Sequence, residues 1–413
     1  MTKLEELIQA LCPDGVEYKP LGDIATISRG GSFQKKDYTE NGVPCIHYGQ
    51  IYMYYGLFAE KTLTYISEEV AQKQKFAEPG DIIMAVTSEN MDDVCKCMAW
   101  LGSKKIAVSG HTAIIHHSIN PKYLVYWLSS TMFYQQKVKI AHGTKVIEVA
   151  PARLADIILP VPPLPVQREI VRILDNFTEL TAELTAELTA RKQQYAYYRD
   201  KLLTFENFTE WRTLDDVIVS LNTGLNPRQF FKLNSDDAHN YYVTIREIQN
   251  GTIVVSDKTD RINDDALRLC NNRSNLEVGD VLFSGTGTIG ETAVISEPPT
   301  NWNIKEGIYV NKPRKEVLYS RYLMYILRTD ALRSAIFKKV AGGTVKSIPM
   351  AEMRNLRVPV PSLKIQKRLV EVLDNFDSIC TDLNVGLPAE IEARQKQYEY
   401  YRDKLLTFRE ISN

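Results

Sequence analysis

One fifteen-residue sentence is written twice in this chain: RKQQYAYYRDKLLTF at 191–205 and RQKQYEYYRDKLLTF at 394–408 agree at twelve positions. A repeat of that fidelity implies duplication, so the fold must contain two related halves. Fainter echoes fill in the rest. PLGDIATISRGG (20–31) matches TLDDVIVSLNTG (213–224), EPGDIIMA (78–85) matches EVGDVLFS (277–284), and HGTKVIEVAPARLADIILPVPPLPVQREIVRILDNF (142–177) matches GGTVKSIPMAEMRNLRVPVPSLKIQKRLVEVLDNF (342–376). The layout is a variable segment, a repeated segment, a second variable segment and the repeated segment again.

Each repeated segment begins after a proline-rich connector, PVPPLPVQ or PVPSLKIQ, because proline ends the preceding strand or loop before a helix can start. In the first copy Ile170, Ile173, Phe177, Leu180, Leu184, Leu188, Tyr195, Tyr198, Leu202 and Phe205 recur at steps of three, four or seven, which predicts one amphipathic helix with a single apolar stripe. Such a helix is about 60 Å long and needs a packing mate, and the second copy is the natural one. There the stripe runs from Leu369 to Leu383 and resumes at Ile391, and Gly386-Leu387-Pro388 predicts a break between. The first copy instead carries Thr-Ala-Glu-Leu in tandem at 181–184 and 185–188.

The variable segments read as mixed α and β. Runs such as DIIMAVTS, KIAVSGHTAIIHH and DVLFSGTGTIGETAVIS alternate with turn signals, and each segment ends in an amphipathic helical stretch, PKYLVYWLSSTMFYQQKVK or LYSRYLMYILRTDALRSAIFKKV. Net charge is −1 over 413 residues, but the average hides clusters. Between Val94 and Ile147 there are seven lysines and no acid, and between Lys312 and Arg357 eleven Lys and Arg face three acids, 11 − 3 = +8. Clustered positive charge in both halves points to phosphate binding.

Catalytic signatures are missing. Gly285-Thr-Gly287-Thr-Ile-Gly290 matches a dinucleotide fingerprint but is followed by β-branched ETAVIS rather than a helix, so a glycine hairpin is expected. There is no Walker A lysine, no Asn/Asp-Pro-Pro-aromatic motif of a DNA methyltransferase and no compact nuclease carboxylate cluster. DKTDRINDD (257–265) lacks the glycine and glutamate of a calcium loop and reads as a solvated turn. Cys95 and Cys97 with His111, His116 and His117 fit none of the usual zinc spacings, and six scattered cysteines fit buried thiols in a reducing compartment. The acid-bearing start, MTKLEELIQALCPDG, is unlike a signal peptide, and no run is long enough to span a membrane, so the chain is expected in the cytoplasm.

Two variable segments with LPVPPLPVQREIVRILDNF, LTAELTAEL and the doubled YYRDKLLTF resemble the specificity subunit of type I restriction-modification enzymes, over nearly the whole chain. The resemblance implies an α+β fold: two mixed α/β target-recognition domains in pseudo-two-fold arrangement, separated by a pair of long antiparallel coiled-coil helices. The boundaries expected are 1–160 for the first domain, 161–206 for the central spacer helix, 207–359 for the second domain and 360–413 for the C-terminal spacer helix. It further implies a non-catalytic subunit that reads an asymmetric, bipartite target in double-stranded DNA. Two modification (methyltransferase) subunits and the motor-nuclease (restriction) subunits would bring adenine-N6 methylation, S-adenosylmethionine, ATP and Mg²⁺, with no cofactor or metal on this chain. The alternatives are a coiled-coil adaptor without a DNA role and a stand-alone methyltransferase or nuclease.

The family carries no fixed motif for base contacts, so candidates rest on side-chain chemistry. In the first domain these are Lys35, Lys36, Tyr48, Gln50, Asn90 and His111 on loops, with Lys137, Lys139 and Lys145 toward phosphates; in the second they are Asn226, Arg228, Arg246, Asn303 and Lys305, with Lys338, Lys339 and Lys346 toward phosphates. Gly143-Thr144 and Gly343-Thr344 sit at matching repeat positions where backbone N–H groups would approach a phosphate, though a plain turn is an equal reading. Tyr195, Tyr198, Arg199, Tyr398, Tyr401 and Arg402 in the doubled tail are the candidates for holding two identical partners; mutual packing of the tails is the other reading.

Overall fold

A computed structural model describes residues 2–205, 209–381 and 386–411. The repeated segments are helical as their periodicity predicts. The central helix runs Leu164–Leu202, 39 residues in one piece. The second copy forms two helices, Leu363–Thr381 and Leu387–Leu405, with Pro388 in the first turn of the latter, where proline's missing N–H costs nothing. Residues 382–385 lie outside the described part. Among the described residues no helix is long and apolar enough to cross a membrane.

Packing divides the chain differently from the four-part sequence layout. One compact unit comprises residues 1–183 with 391–413, the other residues 184–390. Each variable segment is thus joined by the start of the helix that follows it and the end of the other copy. In the first unit the rings of Phe177 and Tyr401 stack at 5.5 Å. In the second, Tyr198 stacks on Phe376 at 6.3 Å. Within each unit, then, the start of one helical segment lies against the end of the other. In the first unit the tail is also sewn to the chain's start: Val16 N donates to Arg409 O at 2.8 Å and Tyr18 Oη to Phe408 O at 3.0 Å.

The proline-rich connectors have a shared mechanical role. Gln167, buried, donates to Pro162 O at 2.7 Å and accepts from Asn120 N at 2.9 Å. Gln366 does the same with Pro361 O at 2.7 Å and Tyr319 N at 2.8 Å. Nearby, the Tyr126 hydroxyl donates to Asp175 at 2.7 Å and the Tyr325 hydroxyl to Asp374 at 2.6 Å, with Lys122 and Arg321 on the same carboxylates. The connector glutamine therefore fastens the end of each variable segment to the long helix. Replacing Gln167 by Leu strands an N–H and a C=O, each costing about 1–3 kcal/mol. We expect the first unit to lose about 2–4 kcal/mol in urea unfolding followed by tryptophan fluorescence, and a change below about 0.5 kcal/mol would contradict this account.

Each variable segment is built on two sheets. In the first unit, Ala25–Arg29, Thr112–His117, Ile82–Ala85, Cys97–Trp100 and Phe58–Ala59 form one sheet in that order, and Tyr38–Thr39, Thr64–Ile66, Val43–Ile46, Ile106–Val108 and Lys75–Ala77 form the other. In the second unit the first sheet is Ile218–Thr223, Ile308–Pro313, Val281–Ser284 and Thr292–Val294, and the second is Arg261–Ile262, Asn240–Val243 and Trp302–Ile304. Strands such as Ile82–Ala85 are buried on both faces: Ile82 and Met84 enter one core, Ile83 and Ala85 another. That is why DIIMAV shows no polar alternation. The Gly285–Gly290 run is a hairpin between antiparallel strands.

The run KIAVSGHTAIIHH, β-rich throughout in the sequence, is two strands in two different sheets. The chain changes sheet at Ser109-Gly110-His111. The second unit changes sheet likewise at Lys305-Glu306-Gly307, where Gly307 has φ +91°.

Candidate nucleic-acid interface

At its sheet change the first unit brings two backbones together. Gly30 N donates to Thr112 O at 3.0 Å and Gly31 N to Val108 O at 2.6 Å. A Cβ on Gly30 would lie 2.0 Å from Ser109 O, and one on Gly110 would lie 2.5 Å from Gly31 O. Only glycine permits that crossing.

A cleft of about 610 Å³ opens over it, lined by residues 29–34, His47, Tyr48, Lys73, Lys75 and residues 109–111. No acid lines it. His47 begins the short helix Tyr48–Met53: its Nδ1 accepts from Gly49 N at 3.2 Å and its own N–H donates to Gln50 Oε1 at 2.9 Å, a capping box. Tyr48 N donates to Ser109 Oγ at 2.8 Å, which ties this turn to the crossing. Three rings follow one another, His47 to Tyr48 at 4.5 Å and Tyr48 to His111 at 4.9 Å. Lys73 and Lys75 are exposed and have no acidic partner among the described residues. Arg29 is tethered to Gly110 O at 2.9 Å and to Glu148 at 3.3 Å.

Burial, then the neighbouring Lys35 and His111, depress the His47 pKa below its ordinary 6.5. Burial depresses His117 likewise, against the pull of Asp81. Both are neutral when folded and take up protons more readily when unfolded, so their contribution to stability is complete above 6.5 and is lost as pH falls below it. The melting temperature should therefore drop on acidification from pH 7.5 to 5.5, and His47→Asn, which keeps a capping side chain, should drop less. Equal slopes in scanning calorimetry would contradict this.

The second unit repeats the frame with other residues on it. Gly224 follows Thr223 as Gly30 follows Arg29, each the last residue of a strand against the inner strand. A Cβ on Gly224 would lie 2.0 Å from Ile304 O. Thr244 and Glu247 form the same capping box as His47 and Gln50. Ser109 N donates to Ile46 O, and Lys305 N to Val243 O, at equivalent ends of parallel strand pairs. Arg29, Tyr48, Ser109 and His111 thereby correspond to Thr223, Ile245, Lys305 and Gly307.

Of the candidates drawn from sequence, Tyr48 and His111 line the cleft and Lys35 and Lys36 sit exposed on the adjoining turn. Three others are buried and engaged within the fold. Gln50 is buried in its capping box. Lys137 is buried, 5% exposed, with Nζ donating to Asp92 O at 2.9 Å and Val94 O at 2.7 Å. Asn303 is wholly buried, bonded to Ser274 Oγ at 2.9 Å and Asn271 Oδ1 at 2.6 Å. Asn90 closes a turn on Asp93, Arg246 pairs with Asp260 at 3.1 Å, and Lys339 pairs with Glu352 at 2.7 Å. Lys139, Thr144, Lys145, Lys305, Lys338, Thr344 and Lys346 are exposed, Asn226 is half-buried, and the Arg228 side chain lies outside the described part.

The glycine loops match, but one residue earlier than the Gly-Thr alignment suggests. His142 pairs with Glu148 and Ala341 with Ser347. The glycines in the left-handed region are Gly143 at φ +110° and Gly342 at φ +111°. Gly343 therefore corresponds to Thr144.

The tail residues are engaged within the protein. Tyr398 is 9% exposed and packs in the first unit's core, Tyr195 packs against the second unit's core, and Tyr401 and Tyr198 stack as described. Arg199 and Arg402 pair with Asp200 and Asp403 at 2.7 and 2.9 Å. Those aspartates accept from Asp330 N and Thr131 N, at the starts of the helices Asp330–Phe337 and Thr131–Ile140, where a carboxylate is favoured. Mutual packing thus accounts for most of the motif. Of the candidates Tyr198 stays 39% exposed beside its stacking partner, and the most exposed aromatics of the tail are Tyr197, 61%, and Tyr400, 62%, with Lys201 and Lys404 over their rings at 5.9 and 5.8 Å. Both lie off the apolar stripe, and their absence from it is the signal that could have found them.

Comparison with known proteins gives one family. The model of the type I restriction modification DNA specificity domain matches residues 13–191 and 209–393. The EcoR124I/EcoR124II specificity subunit of Escherichia coli is 31% identical over 429 aligned positions, covering 99% of this chain and 97% of that one. Among solved structures, a chain from work on complex assembly and conformational transition of the type I R-M system superposes with a TM-score of 0.63 at 16% identity, covering 96% of this chain and 98% of that one.

Proposed function

Because this chain belongs to the specificity subunits of type I restriction-modification enzymes, we propose that it reads a bipartite, asymmetric sequence in double-stranded DNA and positions modification and restriction subunits there. It performs no chemistry itself; S-adenosylmethionine, ATP and Mg²⁺ act on the partner subunits. The observation that carries this is the shared frame with unlike lining. Both units cross two backbones at a glycine beside a capped turn, yet where one frame has Tyr48, Ser109 and His111 the other has Ile245, Lys305 and Gly307. A duplicated scaffold that keeps its geometry while changing its presented side chains suits two readers of two different sequences. An adaptor has no use for the difference.

The doubled helix ends, with Tyr197 and Tyr400 exposed in the same setting, suit two copies of one partner. The test is to replace residues 1–160 by the corresponding domain of another specificity subunit, reconstitute with the modification subunits, and map methylated adenines by sequencing. One half of the target changes while the other half stays. A target unchanged in both halves would refute the reading.

A further inference from the structure

Resting on that function, we infer that the cleft over Gly30 and Ser109 is where the first unit reads its bases, with Tyr48 and His111 as specificity-determining residues and Lys73 and Lys75 holding the DNA backbone beside them. The cleft has the chemistry a nucleotide needs. A series of rings, His47, Tyr48 and His111, offers stacking surface and polar edges. Two exposed lysines without acidic partners among the described residues offer phosphate contacts, and none of the described residues lining the wall is a carboxylate that would repel an anion. The glycine floor lets the substrate approach main chain directly. Tyr48 is held in place through its backbone, by the hydrogen bond to Ser109 Oγ, and its ring by its neighbours, while its hydroxyl has no hydrogen-bond partner among the described residues and is left to recognise something else. In the second unit the same places are held by Ile245, Lys305 and Gly307, and by this argument Lys305 is its base-reading cation. Two lysines of the lysine-rich terminal stretches are, by contrast, already engaged, Lys137 on carbonyls and Lys339 on Glu352.

The experiment uses the full chain assembled with its modification subunits, with methylated sites mapped in cells and DNA affinity measured against salt. His111→Ala and Tyr48→Phe should relax one or two positions of one half-site, by about ten- to a hundredfold in discrimination per position, leaving the other half and the gap untouched. Lys73→Ala/Lys75→Ala should keep the target and lower affinity at every site, with the salt slope reduced by about 1 to 2. Should His111→Ala fail to assemble, Tyr48→Phe and the lysine pair decide. If these variants leave both half-sites and the salt slope unchanged while the 1–160 exchange alters one half, the cleft is not the reader and the functional reading survives. If the exchange alters neither half, the functional reading itself falls.

Discussion

On the proposed reading, inserting one further Thr-Ala-Glu-Leu unit after Leu188 should lengthen the gap between the two half-sites by one or two base pairs and leave both half-sites as they were. The two tandem units lie within the uninterrupted helix Leu164–Leu202, so four more residues add about 6 Å and about 40° of rotation to it. B-form DNA advances about 3.4 Å and turns about 35° per base pair, so one or two base pairs absorb both changes. The insertion is tolerable locally. Ala182, Glu183, Ala186 and Glu187 are exposed, while Leu184 and Leu188 are half-buried, so each unit adds one apolar contact and mainly solvated surface. The second helical segment is already interrupted at Gly386, so it has no continuous register to break there. Deleting a unit shortens the gap by the same amount. Mapping methylated sites for both variants checks this, and a changed base in either half would mean the helix does more than set distance.

How much of this was visible beforehand depended on what kind of pattern carried it. The long helices, the break at Gly386-Leu387-Pro388 and the two-part plan were legible because helical periodicity and duplication leave marks along the chain. The cleft was not. KIAVSGHTAIIHH is one apolar run, and nothing in its composition says that it leaves one sheet at Val108 and joins another at Thr112. Lys137 misleads for a related reason: its partners are the carbonyls of Asp92 and Val94, and backbone partners have no letter in a sequence. Gln50 was within reach, since a polar residue three positions after His47 is a capping-box spacing. Lys73 and Lys75 are masked inside EEVAQKQKFAEPGD, where local acids balance their charge; in the fold Glu68, Glu69 and Glu78 are not among the residues lining the cleft. The buried Asn303 shows the converse, a loop-like letter consumed by packing.

The doubled tail yields the sharpest test of why it is doubled. Tyr197→Ala should cost the assembled complex one of its two modification subunits, Tyr400→Ala the other, and the double variant both. The two rings are equally exposed, each lies against the next tyrosine at 5.3 Å and each has a lysine above it, so one partner surface fits either place. Removing an aromatic anchor from the middle of such a contact costs about 2–4 kcal/mol, roughly a 30- to 1,000-fold loss of affinity. Folding should be untouched, because neither ring belongs to a core. Tyr398→Ala is the contrast: its ring is buried against Tyr126 at 6.4 Å, and its loss should lower the stability of the first unit by about 3 kcal/mol. Native mass spectrometry of the reconstituted complex reads the stoichiometry directly. Two modification subunits retained in the Tyr197→Ala/Tyr400→Ala protein at sub-micromolar concentration would place the docking surface elsewhere and leave the exposed tyrosines without a role.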